Sequence, residues 1–333
     1  MRRSAMVRPI HDDTRARRLR TVSRLFVLTA VVLALLPALA VVAVVVDVLR
    51  FVITRRPFMS VRLLAFVVVY LLTEVVGVVA LAVAWRADLA RTFAIQAAFT
   101  RSLYRAVTVI FSLRFDVDGA GCVLPGPIIV LVRHASIIDT LVPSVFITRA
   151  FDVKLRFVLK SELLEDPCLD IAGQRLPNHF VSRRADDTAV DLAAIERLAT
   201  GMDTLDGALI YPEGTRHTER KHKKAVDDVA ARDPELGALA RQLTRVMPPK
   251  PAGVSALLDG CPAADVVVVA HTGLEGFARV DDIWSGGLVG RTVRVKMWRV
   301  ARALVPVDKG ARTRWLYAEW LKVNALVEQE QAA

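Results

Sequence analysis

In the segment Arg133-His134-Ala135-Ser136-Ile137-Ile138-Asp139-Thr140 an imidazole and a carboxylate stand five positions apart. A carboxylate bonded to one ring nitrogen fixes the tautomer of a histidine and raises the basicity of the other nitrogen. That second nitrogen can then take a proton from an alcohol. Five positions along one helix separate two side chains by about 140°, too far to touch easily. The pair meets if His134 lies in the turn before a helix and Asp139 in its first turn. Ser136 suits the N-cap, and Asp139 then takes the third helical position, a capping-box spacing. The plainer reading of these residues alone is a capped helix start beside an incidental histidine.

Two further clusters invite the same scrutiny. A run Ala208 to Tyr211 ends in Pro212-Glu213-Gly214-Thr215-Arg216. Pro212 stops a strand ladder and Gly214 permits a tight turn. Arg216 offers a planar fork of donors that matches a phosphate, and Thr215 adds a hydroxyl. Between the two clusters, Phe180-Val181-Ser182-Arg183-Arg184 reads as a short extended segment ending in two guanidinium groups. Taken singly, the first reads better as a strand-end turn with a surface ion pair, and the second has a buried-edge ion pair as its plain reading.

These residues must be carried by strands and the turns that follow them. Beyond residue 112 short β-like runs alternate with helical stretches. The strands are expected at Leu113 to Val117, Ile128 to Val132, Leu155 to Leu159, Ala208 to Tyr211, Val266 to Ala270 and Val293 to Val300. Helical patterns include Asp187 to Thr200 and Ala311 to Glu328. The order predicts an α/β domain over 113–333, a mixed sheet covered by helices.

The first quarter of the chain differs. Leu25 to Val46 is an uncharged run of about 22 residues, roughly 33 Å as a helix and enough to cross a bilayer. Leu63 to Trp85 is a second run, interrupted only by Glu74. The turn between them, Asp47 to Arg62, carries Arg55-Arg56-Pro57. The expectation is a two-helix transmembrane hairpin over 25–85, preceded by a basic tail over 1–24. A cleaved signal peptide ending at Ala38-Leu39-Ala40 is the rival, but the apolar run continues past that point and a second follows. Arginines concentrate in the tail, which predicts that tail and main domain face the cytoplasm at the inner membrane. Glu74 reads either as a functional intramembrane acid or as a carboxyl paired inside the hairpin. Residues 86–112 have helical period, with Arg101 and Arg105 away from the apolar face. They suit an amphipathic linker helix, interfacial or packed on the domain.

With 54% hydrophobic residues and a net charge of +11, the chain suits anionic phospholipid headgroups as partner. No nucleic-acid-binding pattern is present. Cys122, Cys168 and Cys261 are scattered, arguing against a disulfide framework or a structural zinc site. The charge run Arg216 to Lys224 is either a solvated face or a meeting point for phosphates.

H-x4-D, then Phe-x-x-Arg, then Pro-Glu-Gly-Thr-Arg, in this order, resembles the glycerolipid acyltransferases typified by 1-acylglycerol-3-phosphate acyltransferase. The resemblance covers roughly residues 87 to 329. Tyr211 to Thr218, Val246-Met247-Pro248-Pro249-Lys250 and the stretch Trp315 through Trp320 to Lys322 look like the lysocardiolipin acyltransferase-like branch. The chain departs from the family pattern at Arg133, where Asn is usual, and at Pro177, where the second motif usually opens with Gly. The run Val266 to Ala270 also lacks the family's proline.

The resemblance implies a glycerol-3-phosphate acyltransferase-like fold. It implies acyl transfer from acyl-CoA, or an acyl carrier protein, to the hydroxyl of a lysophospholipid such as lysophosphatidic acid. His134 would be the general base and Asp139 its partner. Arg183, Glu213, Gly214, Thr215 and Arg216 would shape the site and hold the acceptor phosphate. No metal or resident cofactor is needed for this chemistry. Backbone N–H groups near the helix start are expected to stabilise the thioester oxyanion. A phospholipid transacylase and a non-catalytic, membrane-anchored lipid-binding protein are the alternatives.

Overall fold

The computed structural model describes residues 14–86, 88–136, 138–181, 188–275 and 280–332. Three helices come first: α1 (Thr14–Thr54), α2 (Ser60–Val83) and α3 (Leu89–Ile110). Next are β1 (Arg114–Asp118), β2 (Ile128–Val132), α4 (Leu141–Pro143), which runs on as a π-helical turn (Ser144–Arg149), β3 (Lys154–Lys160) and α5 (Pro167–Arg175). Then follow β4 (His179–Val181), α6 (Thr188–Ala199), β5 (Asp206–Ile210), α7 (Glu219–Arg232), α8 (Pro234–Gln242) and α9 (Pro251–Gly260). The chain closes with β6 (Asp265–Thr272), α10 (Val280–Ser285), β7 (Thr292–Val300) and α11 (Lys309–Ala332).

The seven strands form one sheet in the order β1-β7-β6-β2-β5-β3-β4. All neighbours are parallel except β6 and β7, which pair antiparallel. The central strand β2 reads Ile-Ile-Val-Leu-Val and is buried throughout. An all-apolar strand needs cover on both faces, and it has it. Ile129 and Leu131 pack among α6, α9 and α11, while Ile128, Val130 and Val132 pack with Val107, Phe111 and Ile147 on the opposite face. The parallel registers Leu131↔Ile210 and Val132↔Val269 bring the carboxyl ends of β2, β5 and β6 to one edge. Binding and reacting groups gather outside such strand ends in α/β sheets.

The two N-terminal helices are long and apolar enough to cross a membrane. Val27, Val41, Val42, Val52 and Ile53 of α1 are exposed. The helix extends further than the expected run in both directions. Thr14 to Arg24 forms its first turns rather than a tail, and Asp47 lies within it instead of in the turn. The reason is acidic partners. Asp170 of α5 accepts from Arg17 and Arg18, and Glu165 accepts from Arg20 at 2.7 Å. Asp47, itself buried, accepts the N–H groups of Met59, Ser60 and Val61 and so caps the start of α2.

The hairpin rests along the α/β domain. Arg17 and Arg18 bind α5 at one end, while at the other Arg50 donates to the Trp284 carbonyl and lies over that indole. Arg62 donates to the carbonyl of Ile110. Glu74 is paired rather than free: its Oε2 accepts the N–H of Cys168 in the first turn of α5 at 3.2 Å. Helix α3 packs against α2 and against α4 with its π-helical continuation, so the linker lies on the domain.

Candidate active site

The strand β2 ends at Val132, and the next residues begin no regular helix. Instead Asp139 folds back on the turn. Its Oδ2 lies 3.0 Å from His134 Nδ1 and accepts the N–H groups of Ala135 and Ser136 at 2.7 and 2.8 Å. Its Oδ1 accepts the Ser136 hydroxyl at 2.6 Å. Half of the predicted capping box is therefore present, the aspartate reaching back to the Ser136 N–H. The other half differs: Ser136 Oγ accepts from Ile138 N and donates to the aspartate. Tight i to i+3 bonds, Leu141 N to Ile138 O and Val142 N to Asp139 O, then lead into α4.

Asp139 is 1% exposed, and burial pushes its carboxyl up. The adjacent His271, the bond to His134 and the Ser136 hydroxyl outweigh burial and hold it below its ordinary value. It is thus a carboxylate, and the bond to Nδ1 is donated by the imidazole. That leaves the lone pair on Nε2 of His134, whose side chain is 18% exposed. The Tyr211 ring stands 5.0 Å from the imidazole, centre to centre, and walls one side of it.

The second cluster meets the first through Glu213. Oε1 accepts the backbone N–H of His134 at 2.8 Å, and Oε2 accepts that of Met247 at 3.0 Å. Burial pushes this carboxyl up to about 7, against the pull of His134 N–H and Arg133. Both oxygens are therefore committed to the protein main chain. Gly214 adopts φ +64°, open to glycine at little cost, and its N–H returns to the Tyr211 carbonyl at 3.0 Å. A Cβ there would come 3.2 Å from Lys250 Nζ, which places the lysine ammonium over the turn. Thr215 accepts from Lys221 Nζ at 3.2 Å. Arg216 follows in the same turn, half-buried, just before α7. The basic run is thus divided, its last six residues forming the start of α7 behind the N-cap Thr218.

Arg183 lies outside the described residues. Phe180 of β4, from the same motif, packs with the core on the β2 face that holds Val130. Trp320, from the branch-specific stretch, is fully buried beneath the opposite sheet face, so it serves the core. Four of the N–H groups near the helix start are already engaged. The N–H groups of His134, Ala135, Ser136 and Ile138 are taken by Glu213, Asp139, Asp139 and Ser136, so none of these four is left for an oxyanion.

The sequence reading also missed His271 and Glu275 beside the pair, and gave Arg133 only as a departure from the family pattern. His271, at the end of β6, lies with Nε2 3.6 Å from Asp139 Oδ1 and 3.0 Å from the Arg133 carbonyl oxygen. Arg133 is buried and ion-paired to Glu275 at 2.6 Å. The only signal was a valine run that continues into Ala270-His271-Thr272. Clefts between α3 and β3, lined among others by Phe93, Thr100 and Phe157, lie apart from the histidine.

Comparison with known proteins bears on the same residues. A family model described as Acyltransferase matches residues 98–269, over half the chain, and includes both His134 and the turn Glu213 to Arg216. Among solved structures, the chain is similar to the crystal structure of the 1-acyl-sn-glycerophosphate (LPA) acyltransferase PlsC from Thermotoga maritima. Sequence identity is 16%, the match covers 79% of this chain and 97% of that one, and the TM-score is 0.48. No curated protein matches the chain. On the extent of the family match, the chain belongs to the acyltransferase family and is an enzyme of that kind.

Proposed function

We propose that the protein moves a fatty acyl group from acyl-CoA, or an acyl carrier protein, to the free hydroxyl of a lysophospholipid, with lysophosphatidic acid as first choice. The observation that carries this reading is the pair His134 and Asp139, joined at 3.0 Å with the far nitrogen of the imidazole unclaimed by any described residue. In the reaction Nε2 of His134 takes the hydroxyl proton as the oxygen attacks the thioester carbonyl. The C–S bond then breaks, an ester forms, and the thiolate recovers the proton. General-base assistance of this type contributes about a hundred- to ten-thousand-fold. Holding two lipid-bearing substrates at one surface supplies the rest.

The other residues divide the work. Arg216 and Arg183, with Thr215 and the turn at Gly214, suit the acceptor phosphate, because a guanidinium meets two phosphate oxygens at once. Glu213 acts by holding His134 through its N–H rather than by touching substrate. The membrane supplies the acceptor. The exposed apolar flank of α1 supports insertion, and the basic N-terminal segment supports placement of the domain on the cytoplasmic face of the inner membrane. Because both ends of the hairpin contact one domain, we read it as lying within one leaflet rather than projecting across the bilayer.

The test is thiol release from acyl-CoA with lysophosphatidic acid, comparing wild type with His134→Ala in the same membranes. Release that requires the acceptor and falls about a hundredfold or more in the variant supports the reaction and the base. Equal release from both removes His134 from the mechanism. Acyl transfer that needs phospholipid but no acyl-CoA makes the protein a transacylase.

A further inference from the structure

Asp139 has an imidazole beside each of its oxygens, and only one of them belongs to the reaction described above. The other, His271, is completely buried. Strand β6 outruns β2: Val132 pairs with Val269, so the next residues of β6 flank the turn that carries His134. The Nε2 of His271 lies 3.0 Å from the Arg133 carbonyl oxygen. A carbonyl accepts, so that nitrogen carries the hydrogen. Its Nδ1 is buried with no hydrogen-bond partner among the described residues. A proton there would place a charge without an acceptor in an enclosed site, and burial pushes the ring's pKa down accordingly.

We propose that His271 is a positioning residue for acyl transfer, a neutral donor that braces the main chain at Arg133 and flanks Asp139 so that the carboxylate stays aligned on His134. The inference rests on the reading of His134 as general base. The charged groups facing His271 are Asp139 from the turn before α4, Arg133 from the end of β2 and Glu275 from the segment after β6. On β7 its cross-strand partner is the apolar Val295. The Arg133 guanidinium is tied to the His271 carbonyl and to Glu275, whose other oxygen accepts the Gly273 N–H at 2.7 Å. The nearest cation is thereby engaged elsewhere. A neutral donor steadies Asp139 without cancelling its charge, and that charge is what stabilises the imidazolium formed at His134.

The full-length chain in membranes is assayed with acyl-CoA and lysophosphatidic acid, comparing His271→Leu, His271→Gln and His271→Asn. Glutamine sets an N–H near the place of Nε2, whereas the shorter asparagine cannot reach it. The Leu and Asn variants are expected to lose about ten- to a hundredfold in kcat, with little change in KM, as a misplaced reacting group would. The Gln variant is expected to recover most of that loss. In the Leu variant the acid limb of the kcat profile moves to lower pH, because a misaligned Asp139 stabilises protonated His134 less. Wild-type kcat in the Leu variant, or equal loss in Gln and Asn with an unmoved acid limb, overturns the proposal. If His271→Leu prevents folding, the Gln and Asn pair decides alone. His134→Ala in the same assay separates the two readings: an active His134→Ala enzyme defeats the general base itself, while an inactive one beside a fully active His271→Leu enzyme defeats only the role of His271.

Discussion

Oε1 of Glu213 accepts the backbone N–H of His134 at 2.8 Å, so the glutamate at the end of β5 holds the histidine at the end of β2 by its main chain. Its other oxygen holds Met247 N–H. Glutamine keeps one acceptor and turns an NH2 group toward the second N–H. We therefore expect Glu213→Gln to leave one buried donor unpaired, at about 1–3 kcal/mol of stability. Turnover should fall by about tenfold or more through displacement of His134. Thermal unfolding and thiol release measure the two effects, and wild-type values in both would show that the link carries nothing.

The same carboxyl sets a pH dependence of stability. Burial lifts it from an ordinary 4.5 to about 7 in the folded chain. A group whose folded pKa is raised binds its proton more tightly folded than unfolded. Its contribution is complete below about pH 4.5 and is lost as pH rises through about 7. The unfolding midpoint of the detergent-purified protein should therefore decline across that window, and Glu213→Gln should flatten the decline. Equal slopes for the two proteins would assign the titration to another group.

Asp139 titrates with the opposite sign. Its folded pKa is depressed, so its contribution stands above the unfolded value of 3.8 and is lost as the solution is acidified. Asp139→Asn removes the charge and leaves one oxygen to serve His134, Ala135 and Ser136. Activity should drop nearly as far as in His134→Ala. The double variant should be no worse than the weaker single, since residues acting as one unit do not add. A double variant whose loss is the product of the two singles would mean that Asp139 does not act through His134.

The pairing of His134 with Asp139 was legible only once the three motifs were read together: Ser136 and Asp139 at capping distance showed how the two could meet, but alone they suit a capped helix start beside an incidental histidine. The sheet was legible more directly: Val- and Ile-rich runs separated by helical stretches have one economical arrangement. The place of Glu213 was half legible. Its motif announced a site, but the two N–H groups it binds lie on turns far away in sequence. His271 was hidden because a histidine ending a valine strand looks like any strand residue until the register with β2 is known. The first turns of α1 were hidden by composition. Their arginines resemble a solvated tail, and only Asp170 of α5, more than a hundred positions on, makes them a helix docked on the domain.

That docking supplies a final prediction. Asp170 has a fully buried side chain and receives Arg17 at 2.9 Å and Arg18 at 3.2 Å. Removing one partner of a buried ion pair typically costs about 3–5 kcal/mol, because the remaining charges lose their compensation. In Asp170→Asn the loss should fall on the contact between the start of α1 and α5, so that trypsin cleaves between Arg15 and Arg24 faster than in wild type. The neighbouring pair Arg20 and Glu165 is 65% and 57% exposed, and such pairs contribute about 0–1 kcal/mol. Glu165→Gln should leave the cleavage rate unchanged. If both variants are cut at the wild-type rate, the start of α1 is held by its apolar contacts with α2 and α5 and the arginines are dispensable. If both are cut faster, the exposed pair belongs to the same clamp as the buried one.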